Sequence, residues 1–132
     1  MLDVVAVRSE AATGSGGELT VHVHIASDFH VMSNAPSKPN YVATVVELSG
    51  PPGVTFDKPR YPAPTSFRLS DTEISTFRGD FDVVVPFTVA ASVHAGAQEI
   101  HGTLHYQACT ESRCLFPRDA AFGTTLNVVA TP

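Results

Sequence analysis

The sequence predicts an all-β fold, an immunoglobulin-like antiparallel β-sandwich, on three observations. Short runs of alternating or β-branched residues recur along the chain, as half-buried strands require. Clusters of proline and glycine separate these runs, and no stretch keeps a helical apolar period. Seven or eight short strands so spaced build a sandwich, with a barrel as the alternative. The 132 residues suit one domain, 1–132, with enough chain for a core that needs neither disulfide nor metal.

Leu2 to Val7 reads as a first strand, ended by the glycine-rich loop Ala12 to Gly17. Glu18 to Ala26 alternates, with Leu19, Val21, Val23 and Ile25 on one face and His22 and His24 on the other. Phe29 to Met32 is a short extended piece, followed by a turn-rich excursion through Pro36 and Pro39. Tyr41 to Ser49 is β-branched and aromatic and stops at Gly50-Pro51-Pro52-Gly53, which cannot continue a ladder. Val54 to Phe56 starts another strand. Residues 57 to 72, with Pro59, Pro62 and Pro64 and no clear period, read as a long ordered loop, a common place for a functional lid. Phe81 to Ala91 is the strongest strand, and Pro86 within it predicts an edge or a bulge. Glu99 to Ala108 alternates again, with Ile100, Leu104 and Tyr106 on one face, and delivers Cys109 at its end. Thr124 to Ala130 closes the chain, with Leu126 and Val128 facing one way. Phe56, Phe81, Phe87 and Tyr41 fall in or beside strands and are expected in the core.

Composition narrows the function. The net charge is −5 with no basic cluster, which argues against a phosphate-backbone partner and excludes nucleic acid. No apolar run reaches the roughly 18 residues a membrane helix needs. The start, Met1-Leu2-Asp3-Val4-Val5, has neither a basic segment nor a long apolar one, so the expectation is a cytosolic protein or an excised mature domain.

Both cysteines lie between Tyr106 and Pro117. Cys109 and Cys114 are separated by four residues without glycine or proline, and the pair can be one disulfide or one dithiol. Closing so small a loop stabilises a fold by only roughly 2 kcal/mol, which favours a redox role over a structural one. Thiol–disulfide exchange needs a thiolate, and Arg113 beside Cys114 is expected to lower that pKa, while Glu111 raises that of Cys109. The asymmetry nominates Cys114 as nucleophile. The cysteines are not the widely spaced inter-sheet pair of antibody domains, and the chain has no tryptophan, so the likeness to immunoglobulins is architectural only. Nor do they form a Cys-x-x-Cys on a helix N-terminus, so no helix dipole stabilises a thiolate. Such a pair suits a relay rather than a strong oxidant or reductant.

Tyr106-Gln107-Ala108-Cys109 followed by Cys114-Leu115-Phe116-Pro117 resembles the Tyr-Gln-x-Cys and Cys-x-x-Pro motif of the N-terminal periplasmic domain of the thiol:disulfide interchange protein DsbD family. The landmarks Phe29-His30-Val31-Met32-Ser33-Asn34, Pro51-Pro52-Gly53-Val54 and Arg60-Tyr61-Pro62 are similar to hallmarks of the same family, in the same order. The resemblance implies a bacterial, extracytoplasmic immunoglobulin-like domain with protein-disulfide reductase activity and no cofactor. Its implied partners are thioredoxin-like proteins or domains, which give electrons, and oxidised periplasmic proteins, which receive them. It also implies linkage to a membrane-embedded electron-transfer domain in a full-length protein. Cys114 would form the mixed disulfide and Cys109 would resolve it, with Tyr106, Arg113 and Phe116 around them. A cap within residues 57 to 77 would shield the disulfide, and Tyr61 and Phe67 are its two aromatic candidates.

Two other functions fit the residues. One is a non-catalytic immunoglobulin-like interaction module with a structural disulfide. The other is a copper-binding module using His22 and His24, or His101 and His105, with Met32; the spacing matches no dedicated metal motif, and the expectation is no metal.

Overall fold

The computed structural model describes residues 1–69 and 71–131, so Ser70, inside the expected loop, and Pro132 lie outside the described residues. Twelve strand segments and no helix make up the regular structure there: β1 (Leu2–Ala6), β2 (Ser9–Ala12), β3 (Gly16–Ile25), β4 (His30–Met32), β5 (Val45–Ser49), β6 (Val54–Phe56), β7 (Thr65–Leu69), β8 (Thr72–Phe77), β9 (Asp80–Val89), β10 (Gly96–Tyr106), β11 (Ala108–Cys109) and β12 (Arg118–Val129).

Two four-stranded sheets, β1-β3-β9-β6 and β2-β12-β10-β5, enclose the main core. Each long strand alternates as its sequence dictates. Leu19, Val21, Val23 and Ile25 of β3 and Val83, Val85, Phe87 and Val89 of β9 are buried against Ile100, Leu104 and Tyr106 of β10 and Leu126 and Val128 of β12. Each such aliphatic side chain contributes about 1.5–3 kcal/mol on leaving water, which fixes the register, since a one-residue slip would turn the whole set outward. Gly102 leaves room for the Phe122 ring, which a Cβ there would strike.

Several elements depart from expectation. The stretch read as one loop, 57–72, contains β7 and the start of β8, which pair as a hairpin from Thr65↔Thr76 to Leu69↔Thr72. Prolines at 59, 62 and 64 mask a short alternation in which Phe67 and Leu69 face inward opposite Ile74. β2 was not anticipated; it pairs parallel with β12, the one parallel ladder among the described strands. β12 starts at Arg118 rather than Thr124, and residues 41–44 are irregular. Pro86 sits in an interior strand, yet where the β6 ladder ends: its carbonyl accepts the Asp57 N–H at 2.8 Å and pairing resumes at Arg60↔Val84. Its missing N–H therefore costs no ladder bond.

The third sheet, β11-β4-β8-β7, positions the cysteines. β10 and β12 pair along their whole length, from Gly96↔Val128 to Tyr106↔Arg118. Residues 107–117 are thus the tip of this hairpin, and at the tip Ala108 and Cys109 pair with β4.

Candidate functional site

Cys109 and Cys114 form a disulfide across an antiparallel bridge. The turn between them closes with Thr110 N–H donating to the Arg113 carbonyl and Leu115 N–H donating to that of Ala108, both at 2.8 Å. Thr110 Oγ1 accepts the N–H groups of Ser112 and Arg113 at 3.3 Å each. This side-chain-to-backbone bonding is how the turn forms without glycine or proline. Gln107 anchors both ends of the site: its Nε2 donates to the Leu115 carbonyl at 3.1 Å, and its Oε1 accepts the Val42 N–H at 2.8 Å.

The two sulfurs sit in different surroundings. Cys109 is fully buried and Cys114 only partly so. A small second core surrounds the bridge: Met32 of β4, Ile74 of β8 and Cys109, with Tyr41, Phe67, Leu69 and Cys114 packed on them. Phe67 also covers His30, with ring centroids 3.9 Å apart and planes tilted by 32°. His30 is the register partner of Cys109. Burial of the imidazole, aided by the nearby Arg78 charge, holds its pKa below 6.5, opposed by the Cys109 backbone and Glu111.

On the open side, Gln107, Arg113, Cys114, Leu115, Phe116, Pro117 and Arg118 line a shallow cleft. Phe116 projects from it with 90% of its surface exposed. Arginine ion pairs among the described residues are Arg60–Glu18 and Arg68–Glu73; Arg113 and Arg118 stand beside Cys114 without one.

Of the two aromatic candidates for a cap, Phe67 lies at the disulfide and Tyr61 does not. The Tyr61 ring stacks with Phe77 at 6.4 Å in the main core, and its hydroxyl accepts the Val46 N–H at 3.0 Å. Tyr106 is likewise buried in the main core, because it alternates with Gln107, whose side chain faces the cysteine loop. Phe87 is a core residue and Phe56 and Phe81 pack against that core as expected, but Tyr41 belongs beside the disulfide. His30, Ile74, Leu69 and Gln107 were not singled out as site residues by sequence reasoning; the available signals were the landmark Phe29 to Met32 for His30 and the motif Tyr106 to Cys109 for Gln107.

Three of the histidines named for a metal site, His22, His24 and His105, pair with aspartates. His22 Nδ1 lies 2.7 Å from Asp82 Oδ1, and His24 Nδ1 lies 2.8 Å from Asp80 Oδ1. His105 meets Asp119 at 2.6 Å, and Met32 is buried in the small core away from all of these. No group of three or more metal-ligating side chains gathers among the described residues.

Comparison with known proteins agrees with this fold. No curated protein matches the chain. Among solved structures, the N-terminal periplasmic domain of ScsB from Proteus mirabilis superposes with a TM-score of 0.64 at 12% identity, over 92% of this chain and 45% of that one. The DsbD N-terminal domain of Neisseria meningitidis in the reduced form gives 0.54 at 19% identity, over 87% and 80%. A type I cohesin from Pseudobacteroides cellulosolvens gives 0.61 at 11% identity, over 99% and 94%, a likeness of fold alone. Residues 2–126 match the family described as thiol:disulfide interchange protein DsbD, N-terminal. With that match across the sandwich and the cysteine turn, the chain belongs to the family of DsbD N-terminal domains, a family of thiol–disulfide exchange.

Proposed function

We propose that this chain is an extracytoplasmic relay that takes electrons from a thioredoxin-like donor and passes them to oxidised proteins through Cys109 and Cys114. The observation that carries the reading is the unequal burial of the one disulfide, Cys109 fully enclosed and Cys114 partly exposed beside Phe116 and Arg113. A donor thiolate attacks Cys114 Sγ, and the electron pair of the broken S–S bond goes to Cys109 Sγ. The donor's second thiol then attacks its own sulfur in the mixed disulfide and frees Cys114 as a thiolate. Both domain cysteines are now reduced, and the same steps run backwards against an oxidised client. Phe67 plays the cap, keeping small thiols from the bridge. Phe116 and the unpaired Arg113 and Arg118 form the surface a partner meets.

The extracytoplasmic setting rests on the family and on the periplasmic origin of the ScsB domain. Incubation of the oxidised chain with reduced thioredoxin, followed by alkylation and mass measurement, tests the reading. Two alkylated cysteines are expected within minutes. A bridge that stays closed while dithiothreitol opens it would favour a purely structural disulfide.

A further inference from the structure

His30, Cys109 and Cys114 form one row across three chain segments. Cys109 is the register partner of His30 on β4 and the bridge partner of Cys114. Residues directly opposite in an antiparallel pair point to the same face, with Cβ atoms about 4.5–5.5 Å apart, so the imidazole is the side-chain neighbour of Cys109 on the side away from Cys114. The ring is 6% exposed, lies under Phe67 and contacts the Cys109 backbone. Its Nδ1 is buried without a hydrogen-bond partner. A buried polar atom left unpaired is unfavourable, and the Cys109 thiol freed by opening the disulfide belongs to the residue directly opposite the imidazole.

We propose that His30 is the proton acceptor for the buried Cys109 thiol when Cys109 resolves a mixed disulfide on Cys114. This rests on the relay reading above. Cys109 is fully buried, so solvent base cannot reach its proton, and a thiolate there has no water to stabilise it. Neutral His30 takes the proton from Cys109 S–H and becomes imidazolium beside the new thiolate. The thiolate attacks Cys114 Sγ, the Cys109–Cys114 bond forms, and the bond from Cys114 to the client sulfur breaks with its electron pair leaving on that sulfur. The imidazolium then returns its proton to solvent through the depression lined by Ser27, Asp28, His30, Thr110, Glu111 and Ser112. In the opposite direction the imidazolium protonates Cys109 as it leaves. The charged groups facing the ring are Arg78, which favours the neutral base, and Glu111, which opposes it, with Asp28 at the rim. Phe67 contributes no charge.

Reduced chain mixed with excess 5,5′-dithiobis(2-nitrobenzoate) tests this without a protein partner. Two thiolate releases follow one another: the first forms the mixed disulfide on Cys114, and the second reports resolution by Cys109. His30→Phe keeps an aromatic ring under Phe67 and removes the nitrogens, and His30→Gln keeps a polar group that takes no proton near neutral pH. In both, the second phase should slow about a hundredfold at pH 7 and rise about tenfold per pH unit towards the ordinary thiol range. The first phase should be unchanged, and the wild-type second phase should be nearly flat between pH 7 and 9. A second phase with wild-type rate and pH profile in either folded variant overturns the role of His30 and leaves the relay standing. A wild-type chain that shows no second release overturns both.

Discussion

Gln107 Nε2 donates to the Leu115 carbonyl at 3.1 Å, tying the residue between β10 and β11 to the far side of the cysteine turn. The same amide accepts the Val42 N–H, so one side chain holds the turn against the irregular segment 41–44. Gln107→Ala removes both bonds. It should lower stability by about 1–2 kcal/mol and speed reduction of the disulfide by dithiothreitol; urea unfolding and a thiol-release assay check the two effects. Loss of stability with no change in rate would show that the tie does not restrain the turn.

Phe67 and Tyr61 should separate cleanly. Phe67→Ala uncovers the bridge, and reduction by a small thiol should accelerate several-fold with the fold retained. Tyr61→Ala removes a ring from the main core and a hydrogen bond to Val46, which should cost about 2–4 kcal/mol and leave the native-state reduction rate alone. Equal acceleration in both variants would place the cap elsewhere.

Most of the sandwich was legible because period-two alternation in β3, β9 and β10 needs no long-range information. The cysteine turn was legible from its motif. What the sequence hid was pairing. Thr65 to Leu69 looks irregular when read with Pro62 and Pro64, and only Ile74 across the hairpin reveals its inward face. His30 carries no local sign that Cys109 will lie opposite it, since 78 residues separate them and β4 is only three residues long. Tyr61 looked like a lid because it lies in a proline-rich stretch, yet a hydroxyl partner on Val46 draws it into the core.

Phe116 is almost wholly exposed, so its replacement should not touch stability. Phe116→Ala and Arg113→Glu should each slow exchange with a thioredoxin-like partner several-fold while leaving the melting temperature within a degree or so of wild type. Arg113→Glu should act on small disulfides as well, because it changes the charge beside Cys114, whereas Phe116→Ala should act on protein partners only. Stopped-flow exchange with both kinds of substrate reads the difference.

On the opposite sheet, the hydrogen bond to Asp82 holds His22 above its ordinary pKa of 6.5, and the hydrogen bond to His24 holds Asp80 below its ordinary 3.8. His22 binds its proton more tightly folded than unfolded, so its contribution is full below 6.5 and fades as pH rises through the raised value. That of Asp80 is full above 3.8 and fades in acid. Asp82→Asn should therefore lower stability at pH 5.5 and much less at pH 8.5. The effect is small, because both partners are exposed. Thermal melts at the two pH values check it, and an equal loss at both would assign the effect to packing.

Cys109→Ser tests the central claim most directly. Mixed with a thioredoxin-like donor lacking its own resolving cysteine and supplied as the activated mixed disulfide, the variant should accumulate a covalent complex through Cys114, visible on a non-reducing gel and located by mass spectrometry. Cys114→Ser, whose remaining sulfur is fully buried, should trap little. Strong trapping by Cys109→Ser alone is the result the relay predicts; equal trapping by both variants, or trapping mainly through Cys109, would contradict it.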